Sequence, residues 1–450
     1  MDKASEEIRK AELVRVVSHL DADGISAASV AVSFLSRLGK KVHVSTRKQI
    51  SPGLVDDLKK EESDLFLFTD LGSGYMKLME ELAESTGSKI IICDHHMPSP
   101  GGNENIIHIN PILDGKSEDE VSGAGVVYQL AKKADPKNTD LSFLALIGAI
   151  GDMQDDSWEM VGINKLIADE SLGTGVVKRE KGTVIFGRMD RPVHKALEYS
   201  TTPFIPGISG DGPASLQFLG SLGIGMKKEG EWRTLADLES GEMEKLARAV
   251  ACEKINGKDP CPGEIFGQIY SMNVGGEVFD AREMATSLNA CGRMEQASTG
   301  ILSVLGLWPV SRLEGIIAGY RKMITRYMKW VGNSKKVKKT EKACYIMAGE
   351  EIHENFIGTI TSICQKSSVF GGENVVFGIS DTPNGKSKVS VRAPEDLVEK
   401  GLNLKDMLEK VTEGMEGYGG GHASAAGAFI PKGKEKEFID ACETYLKEKL

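Results

Sequence analysis

Short apolar runs alternate with amphipathic stretches along the first third of the chain, from Leu13 to about Met160. The apolar runs LVRVVSHL, KVHVST, LFLFTDL, KIIICDHH and NIIHINP each predict a buried strand of four to seven residues. Between them, GISAASVAVSFLSRLG and SGYMKLMEELAEST repeat apolar residues at helical spacing. This alternation predicts an α/β fold with a mostly parallel sheet that helices cover on both faces.

The remainder of the chain has a different pattern. Residues 205–280 are rich in glycine and predict either a linker or a small inserted module. An apolar stripe at i, i+3, i+4 and i+7 between Pro309 and Val331 predicts one long helix. From Ala343 onward, the runs VVFGIS, KVSVRA and GAFIPKG predict strands, and a closing helix follows. The whole is an α/β protein with a smaller C-terminal α/β domain.

Composition narrows the class of protein. A chain of 450 residues that is 40% hydrophobic can build real cores, which excludes disorder and a disulfide-stapled mini-fold. No run of about 18 apolar residues occurs, and the start MDKASEEIRK lacks a signal-peptide core. We therefore expect a cytoplasmic protein without a membrane partner. The 7 cysteines show no C-x-x-C spacing, so reduced thiols are expected rather than a zinc knuckle.

The formal net charge of −10 means that any role with nucleic acid needs a local basic surface or bound cations. One basic window runs from Arg312 to Lys342 and holds ten Lys or Arg against two Glu. It is interleaved with Tyr320, Tyr327 and Trp330. Such a run is typical of a solvated face, but it could also hold a polyanionic strand.

Acidic side chains follow two of the predicted strands. The motif H-L-D-A-D-G places His19, Asp21 and Asp23 directly after the first strand, and Gly24 permits a tight turn into a helix. Asp70 ends the third strand in F-T-D-L-G-S-G. Each motif alone also fits an ordinary turn or helix cap. Because ligands of parallel sheets sit at the carboxyl ends of strands, these side chains are candidates for one site.

The fourth strand ends in C-D-H-H, which supplies Asp94, His95 and His96. A lone histidine is more often a satisfied surface or core residue. Two adjacent histidines behind an aspartate favour metal binding, because the carboxylate can accept an N–H from one imidazole and fix its tautomer.

A fourth acidic motif, G-D-M-Q-D-D, closes an apolar run and offers Asp152, while Asp155 and Asp156 also fit caps or solvated positions. So many acids cannot stay ionised side by side without cations. Oxygen and imidazole ligands suit manganese or magnesium better than structural zinc. A pair of such ions about 4 Å apart predicts two-metal phosphoester hydrolysis.

A glycine-rich motif near the C-terminus, Y-G-G-G-H-A-S-A-A-G, includes Gly420, Gly421, His422 and Ser424. Its backbone N–H groups can approach an anion closely, although a tight inter-strand turn would use the same residues. With Arg392 on the strand KVSVRA, the motif favours phosphate binding.

One further motif, L-N-A-C-G-R-M, holds Asn289 and Arg293, which could contact a substrate backbone. It fits equally well a helix that ends at Gly292.

These motifs, in this order, resemble the DHH phosphoesterase superfamily. N-A-C-G-R-M and the segment S-G-A-G at 122–125 are similar to the RecJ branch, particularly to archaeal RecJ-like nucleases. The resemblance implies a parallel-sheet DHH domain joined by a long helix to a DHH-associated domain that grips substrate. The implied domains are a DHH domain at 1–205, a linker or inserted module at 206–300, a connecting helix with the basic segment at 301–340, and the C-terminal domain at 341–450.

The resemblance also implies roles for residues. The ligands of two manganese ions, with magnesium as an alternative, would be Asp21, Asp23, Asp70, His95 and Asp152. His19 occupies a position where some members have a ligand, but its spacing to Asp21 differs. His96 would lie near the metals and the scissile phosphate, with Asp94 orienting the histidines. The implied substrate contacts are Arg392, Gly420, Gly421 and His422.

The resulting hypothesis is a manganese-dependent exonuclease that releases mononucleotides from single-stranded DNA, or from RNA, in replication or repair. Archaeal relatives use an insertion between the two domains for contacts with replication proteins, which implies GINS or the replicative helicase complex as a partner. One alternative is a nanoRNase- or phosphatase-type hydrolase of small oligonucleotides or cyclic dinucleotides. Another is a replisome scaffold in which nuclease activity is secondary.

Overall fold

The computed structural model describes residues 1–155, 158–200, 203–257, 265–366 and 374–449. Asp156 of the G-D-M-Q-D-D motif therefore lies outside the described residues. The chain divides into two compact units, Met1–Ile317 (unit 1) and Ala318–Leu450 (unit 2). Within the described residues, no helix has both the length and the apolar character needed to cross a membrane.

Unit 1 begins with alternating helices and strands and continues with a mainly helical segment. Its elements, in chain order, are α1 Asp2–Lys10, β1 Leu13–His19, α2 Ala22–Arg37, β2 Lys41–Arg47, α3 Pro52–Leu58, β3 Leu65–Thr69, α4 Met76–Thr86, β4 Lys89–Cys93, β5 Ile106–Ile109, α5 Gly123–Ala134, α6 Ser142–Gly151, α7 Gly162–Gly173, β6 Val177–Thr183, α8 Val193–Glu198, α9 Gly212–Ser221, β7 Lys227–Lys228, β8 Glu231–Trp232, α10 Ser240–Asn256, β9 Phe266–Val274, β10 Glu277–Asp280, α11 Ala281–Arg293 and α12 Ala297–Val304.

The long helix and unit 2 complete the chain. Their elements are α13 Arg312–Asn333, β11 Val337–Lys339, β12 Ala343–Gly349, α14 Glu354–Lys366, β13 Val375–Asp381, β14 Lys386–Arg392, α15 Glu395–Glu399, α16 Leu404–Thr412, β15 Tyr418–Gly421, β16 Ala425–Pro431 and α17 Glu435–Lys449. The predicted long helix and the predicted C-terminal strands are thus confirmed.

The predicted strands of the first third form one parallel sheet in the order β2-β1-β3-β4-β5, which confirms the α/β class. Alternate strand residues face opposite helical layers. Val16 and Leu67 belong to the core that includes α2, α5 and α6, whereas Val17 and Phe68 belong to the core that includes α3 and α4. The prediction that every strand is buried was wrong for β2 and β5, because they are the edges of the sheet and are covered only in part.

The carboxyl ends of the central strands lie at one edge of the sheet. Ser18 of β1 pairs with Thr69 of β3, and Thr69 pairs with Cys93 of β4. The acidic and histidine motifs that follow these strands in sequence are therefore brought to the same edge, as parallel pairing requires.

The glycine-rich segment is folded, and the linker alternative was wrong. Its apolar residues form a separate hydrophobic core, because α8, α9 and α10 each contribute a buried face. The core extends from Ile185 to Ile265 and crosses the suggested boundary at 205/206. The strands β10, β9 and β6 form an antiparallel sheet, and Val177 and Met272 of this sheet belong to the core that includes α2 and α6.

Unit 2 is built on a mixed sheet in the order β11-β12-β13-β14-β16-β15. Helix α14 packs against β13 and β14, while α16 and α17 cover the core that contains Phe377 and Leu408.

The aromatic residues of the basic window do not all interleave with cations on the surface. Tyr320 and Tyr327 of α13 pack against Phe356 of α14, with ring centroids 5.5 and 5.4 Å away.

Candidate metal centre

The loop after β1 supplies the first two carboxylates. Asp21 is the N-cap of α2, and its side chain accepts a hydrogen bond from Gly24 N at 3.0 Å. Asp23 lies in the first turn of the helix and is buried. Its two oxygens accept hydrogen bonds from Gly123 N at 2.6 Å and Ala124 N at 3.0 Å, at the start of α5. The N-terminal end of α5 therefore holds this carboxylate in place, as a helix dipole favours.

Glycines allow these elements to approach so closely. A Cβ atom at Gly123 would lie 2.5 Å from Asp70 Oδ1, and one at Gly148 would lie 2.3 Å from Asp23 Oδ1. Gly123 belongs to the S-G-A-G segment and Gly148 to the end of α6. Any larger residue at either position would displace a candidate ligand.

Asp70 occupies a strained position directly after β3. Its φ is +55°, in the left-handed region that non-glycine residues rarely adopt, and its N–H donates to Cys93 O at 2.8 Å. The side chain is buried, yet neither Oδ1 nor Oδ2 makes a hydrogen bond within the described residues. Buried carboxylate oxygens without a partner are costly unless something else neutralises them.

The C-D-H-H motif is organised around Asp94. The Asp94 carboxylate accepts hydrogen bonds from Ser73 N at 2.9 Å and His95 N at 2.8 Å, and its Oδ1 lies 2.8 Å from His96 Nδ1. The predicted orienting role of Asp94 thus has a geometric basis, although its effect on activity stays a prediction. The neighbouring imidazole, that of His95, has its Nδ1 3.0 Å from Glu118 O.

His95 Nε2 points at three carboxylates. It lies 3.5 Å from Asp70 Oδ1, 3.5 Å from Asp152 Oδ2 and 3.9 Å from Asp23 Oδ2, and it makes no hydrogen bond of good geometry to any residue that the structure describes. On the other side of Asp70, His19 Nδ1 lies 3.5 Å from Asp70 Oδ2.

Gln154 is a residue of this site that the sequence interpretation missed. Its Nε2 donates to Asp152 Oδ2 at 2.9 Å and to Glu118 O at 3.1 Å, and its Oε1 accepts from Asn164 Nδ2 at 2.7 Å. The only signal in the sequence was the position of Gln154 among the acids of G-D-M-Q-D-D. Asp155 of the same motif pairs with Arg282 of α11 and belongs to none of the three ligand groups described below.

The pKa values of the residues in this cluster are shifted because the residues are buried and several carboxylates lie close together. Burial raises the pKa of Asp23 well above its usual range, and the charges of Asp70 and Asp152 raise it further. Burial also raises the pKa of Asp152 to about 7. Burial alone would lower the pKa of His95, but the surrounding carboxylates outweigh it and hold this pKa well above its usual value. The carboxylates repel one another and attract any cation.

Within the described residues, three groups of ligand atoms lie within 4.8 Å of one another. They are His19/Asp21/Asp70, Asp70/His95/His96 and Asp23/His95/Asp152. Asp70 and His95 each belong to two of the groups. The two carboxylate oxygens of Asp70 could serve adjacent cation positions, whereas His95 Nε2 has one lone pair and could serve only one of them. The donors are carboxylate oxygens and imidazole nitrogens without thiolate, and the unpartnered Asp70 oxygens face inward. This set fits manganese or magnesium.

The residues of L-N-A-C-G-R-M lie on the last turns of α11. Asn289 Oδ1 accepts a hydrogen bond from Ala22 N at 3.0 Å, so the side chain holds the loop that carries Asp21 and Asp23. A Cβ atom at Gly292 would overlap Leu20 O, which explains the glycine. Substrate contact by Asn289 or Arg293 stays a prediction.

The second candidate cluster lies within unit 2. Gly420 and Gly421 end β15, and His422 N donates to Ala425 O at 2.9 Å across the turn to β16. Arg392 pairs in register with Ala425, and its Nε donates to Ser362 Oγ at 2.9 Å. The structure thus brings Arg392 next to the glycine-rich turn that contains Ser424. Anion binding there stays a prediction.

Comparison with known proteins identifies related domains along the chain. The model of the DHH family N-terminal domain matches residues 13–150, the DHH-CID domain matches 185–260, and the DHHA1 domain matches 341–448. An uncharacterized protein of Methanocaldococcus jannaschii is 31% identical over 445 residues, covering 97% of this chain and 94% of the relative. The single-stranded-DNA-specific exonuclease RecJ of Bacillus subtilis is 26% identical over 161 residues, covering 34% of this chain and 20% of that protein.

Solved structures share the fold. RecJ from Thermus thermophilus in complex with Mn²⁺ aligns with a TM-score of 0.60 at 19% identity, covering 99% of this chain and 54% of RecJ. CDC45 from Entamoeba histolytica aligns with a TM-score of 0.66 at 10% identity, covering 98% and 97% of the two chains. At these identities the likeness concerns the fold. Together with the matched domains and the full-length relative, it shows that the chain belongs to the RecJ-like branch of the DHH phosphoesterase superfamily.

Proposed function

We propose that this protein is a manganese-dependent exonuclease that hydrolyses phosphodiester bonds of single-stranded nucleic acid. The observation that carries the proposal is the environment of Asp70. Its two buried, unpartnered oxygens lie between His19 on one side and His95 on the other. This arrangement supports a role for Asp70 as a ligand that two cations would share.

The metal-binding residues can be assigned from these contacts. We assign to this role His19, Asp21, Asp23, Asp70, His95 and Asp152. Two bound manganese ions, or magnesium, would lower the pKa of a water molecule and offset the negative charge that builds on the phosphoryl group.

The remaining residues of the cluster position the ligands and the phosphate. Asp94 holds Nδ1 of His96, which directs Nε2 away from the carboxylate. The His96 side chain is 47% exposed, so it can donate a hydrogen bond to a phosphate oxygen. The pKa of His96 lies above its usual value, because the charge and hydrogen bond of Asp94 outweigh its burial. A protonated His96 would suit a negatively charged substrate.

The choice of substrate rests on the relatives. RecJ of Bacillus subtilis is described as specific for single-stranded DNA, and we extend that class of substrate to this chain. Arg392 and the turn that contains His422 are our candidates for holding the strand. A role in replication or repair, and GINS or the replicative helicase complex as partners, are further proposals that follow from the resemblance.

A substitution of Asp70 tests the proposal. Asp70→Ala should abolish manganese-dependent digestion of end-labelled single-stranded DNA or RNA, because the shared ligand is lost. The exposed acid Asp114 offers a matched control, and Asp114→Ala should digest the strand like the wild type. Circular dichroism of both variants verifies folding. Full activity of Asp70→Ala would refute the site assignment.

Substrate length separates the proposal from its rival. An exonuclease should degrade strands of twenty or more nucleotides from one end, and labels placed at either end reveal the polarity. A preference for substrates of two to five nucleotides would instead indicate a small-oligonucleotide hydrolase.

A further inference from the structure

Helix α13 carries a group of exposed cations. Tyr327 is buried at 4% exposure and marks the face of the helix that packs inward. Lys322, Arg326 and Lys329 are exposed and follow one another at i, i+4 and i+7. At about 100° per residue, Lys322 and Lys329 lie on the side of the helix away from Tyr327, and Arg326 lies at the flank between them and Tyr327.

The row continues beyond the end of the helix. Lys335 and Lys336 are exposed in the turn that leads to β11. We call these five residues, Lys322, Arg326, Lys329, Lys335 and Lys336, the cationic strip. From residue 321 to residue 342 the sequence contains only one acid, Glu341.

The strip is a cluster of cations in a segment of the sequence that holds one acid. Within the parts of the chain that the structure describes, none of its five cations forms an ion pair. Lysines elsewhere in unit 2 do pair with acids, for example Lys432 with Asp381 at 2.7 Å and Lys434 with Glu437 at 2.5 Å. In a chain with a net charge of −10, a row of uncompensated cations concentrates positive potential on one surface.

The spacing of the strip fits a polyanionic strand. Lys322 to Lys329 span about 10 Å along the helix at 1.5 Å per residue. Phosphates follow one another at about 3.4 Å per nucleotide along a stacked strand, so three successive phosphates fit this length. Tyr320 and Tyr327 pack against Phe356, and Tyr327 is buried, whereas the strip itself holds only cations. Contacts made by the strip would therefore address the backbone without reading sequence.

We propose that the cationic strip binds the phosphate backbone of the single-stranded substrate by electrostatic attraction, independently of sequence. This inference rests on the proposed nuclease function, since that function supplies the polyanion. It assigns the strip to strand binding and not to phosphoester chemistry.

The test compares two neutralised variants of the full-length protein. Lys322→Gln/Arg326→Gln/Lys329→Gln removes the helical part of the strip. Its matched control, Lys436→Gln/Lys447→Gln/Lys449→Gln, removes the same charge from exposed positions of α17. The probes are fluorescein-labelled dT20 and a mixed-sequence 20-mer, with binding followed by anisotropy in EDTA at 50–300 mM KCl.

The strip variant should bind both strands about ten- to a hundredfold more weakly at 100 mM KCl. The slope of log K against log salt should become less steep by about 2, because each phosphate contact on a single strand contributes about 0.7. The control should stay within twofold of the wild type with an unchanged slope. If thermal unfolding shows that the triple variant is not folded, Lys322→Gln/Lys329→Gln should show a loss of slope of about 1.4.

The inference would be overturned if the strip variant bound both strands as tightly as the control variant, with the same slope of log K against log salt. The inference would also be overturned if the strip variant still bound dT20 but no longer bound poly-L-glutamate. The strip would then be assigned to binding an acidic protein. Digestion of labelled strands by the wild-type protein with manganese is measured separately. Failure of that digestion refutes the proposed function, while the anisotropy data still decide whether the strip binds a strand.

Discussion

Asp70 and its neighbours illustrate how single residues set the chemistry of this site. The left-handed backbone of Asp70 turns a buried carboxylate towards two histidines. Gly123 and Gly148 leave room for Asp70 and Asp23, because a Cβ at either glycine would overlap an oxygen. Strain and close approach at such positions cost stability, and metal binding can offset that cost.

Gln154 offers a test of positioning at the residue scale. Gln154→Ala removes the hydrogen bond to Asp152 and leaves Asn164 Nδ2 without its acceptor. Loss of an outer partner of a metal ligand typically weakens metal affinity by about 10- to 100-fold. We therefore expect weaker manganese binding by calorimetry and a matching rise in the manganese concentration that half-activates hydrolysis. Unchanged manganese affinity would show that Gln154 does not position Asp152.

At the scale of elements, helix N-termini hold buried acids. The start of α5 holds Asp23, and the start of α11 is capped by Asp280, whose Oδ1 accepts from Arg282 N at 2.8 Å and Glu283 N at 3.1 Å. Glu283 in that first turn accepts from Met189 N at 3.0 Å. Burial, and then the charge of Asp280, raise the pKa of Glu283 to about 8.

This pKa predicts a pH-dependent stability. A carboxyl group whose pKa is raised in the folded state stabilises the fold at acidic pH and loses that contribution as the pH rises through about 8. Glu283→Gln keeps the acceptor oxygen but cannot ionise. It should be more stable than the wild type at pH 9, on the order of 2 kcal/mol after allowance for partial exposure, and equal to it at pH 4, below the ordinary pKa of 4.5 from which the loss begins.

Thermal or urea unfolding across this pH range measures the effect. The exposed residue Glu84 gives the control, since Glu84→Gln should change stability equally little at both pH values. A Glu283→Gln variant whose stability follows the wild-type pH curve would contradict the ionisation of Glu283 in the folded protein.

At the scale of the whole molecule, the acidic centre links metal binding to stability. Metal-free protein must hold several carboxylates together, whereas a bound cation neutralises them. Manganese at 100 times its dissociation constant should therefore add about 2.7 kcal/mol to the free energy of unfolding. Differential scanning calorimetry with EDTA and with manganese should show this rise for the wild type. Asp70→Ala should show little rise, and an equal rise in both proteins would indicate manganese binding elsewhere.

Much of the fold could be predicted because its signals are local. The hydrophobic periods of β1 to β5, α6 and α13 lie within each segment, and parallel pairing then brings Asp21, Asp70 and His95 to one sheet edge. The glycine-rich segment was harder to interpret, because the apolar residues of its core are spread from Ile185 to Ile265 without a long periodic run.

The candidate chemistry of this protein, an acid and histidine cluster for divalent cations, was determined by the sequence itself, since residue type at strand ends limits what can be bound. Only the tertiary structure decided which residues contact each other when they are far apart in the sequence. Asp155 pairs with Arg282, 127 positions away, and Asn289 holds Ala22, 267 positions away. The packing of Tyr320 and Tyr327 against Phe356 was decided there too. Side chains commit to one neighbour when burial removes water as an alternative partner, and burial is a property of the packed molecule.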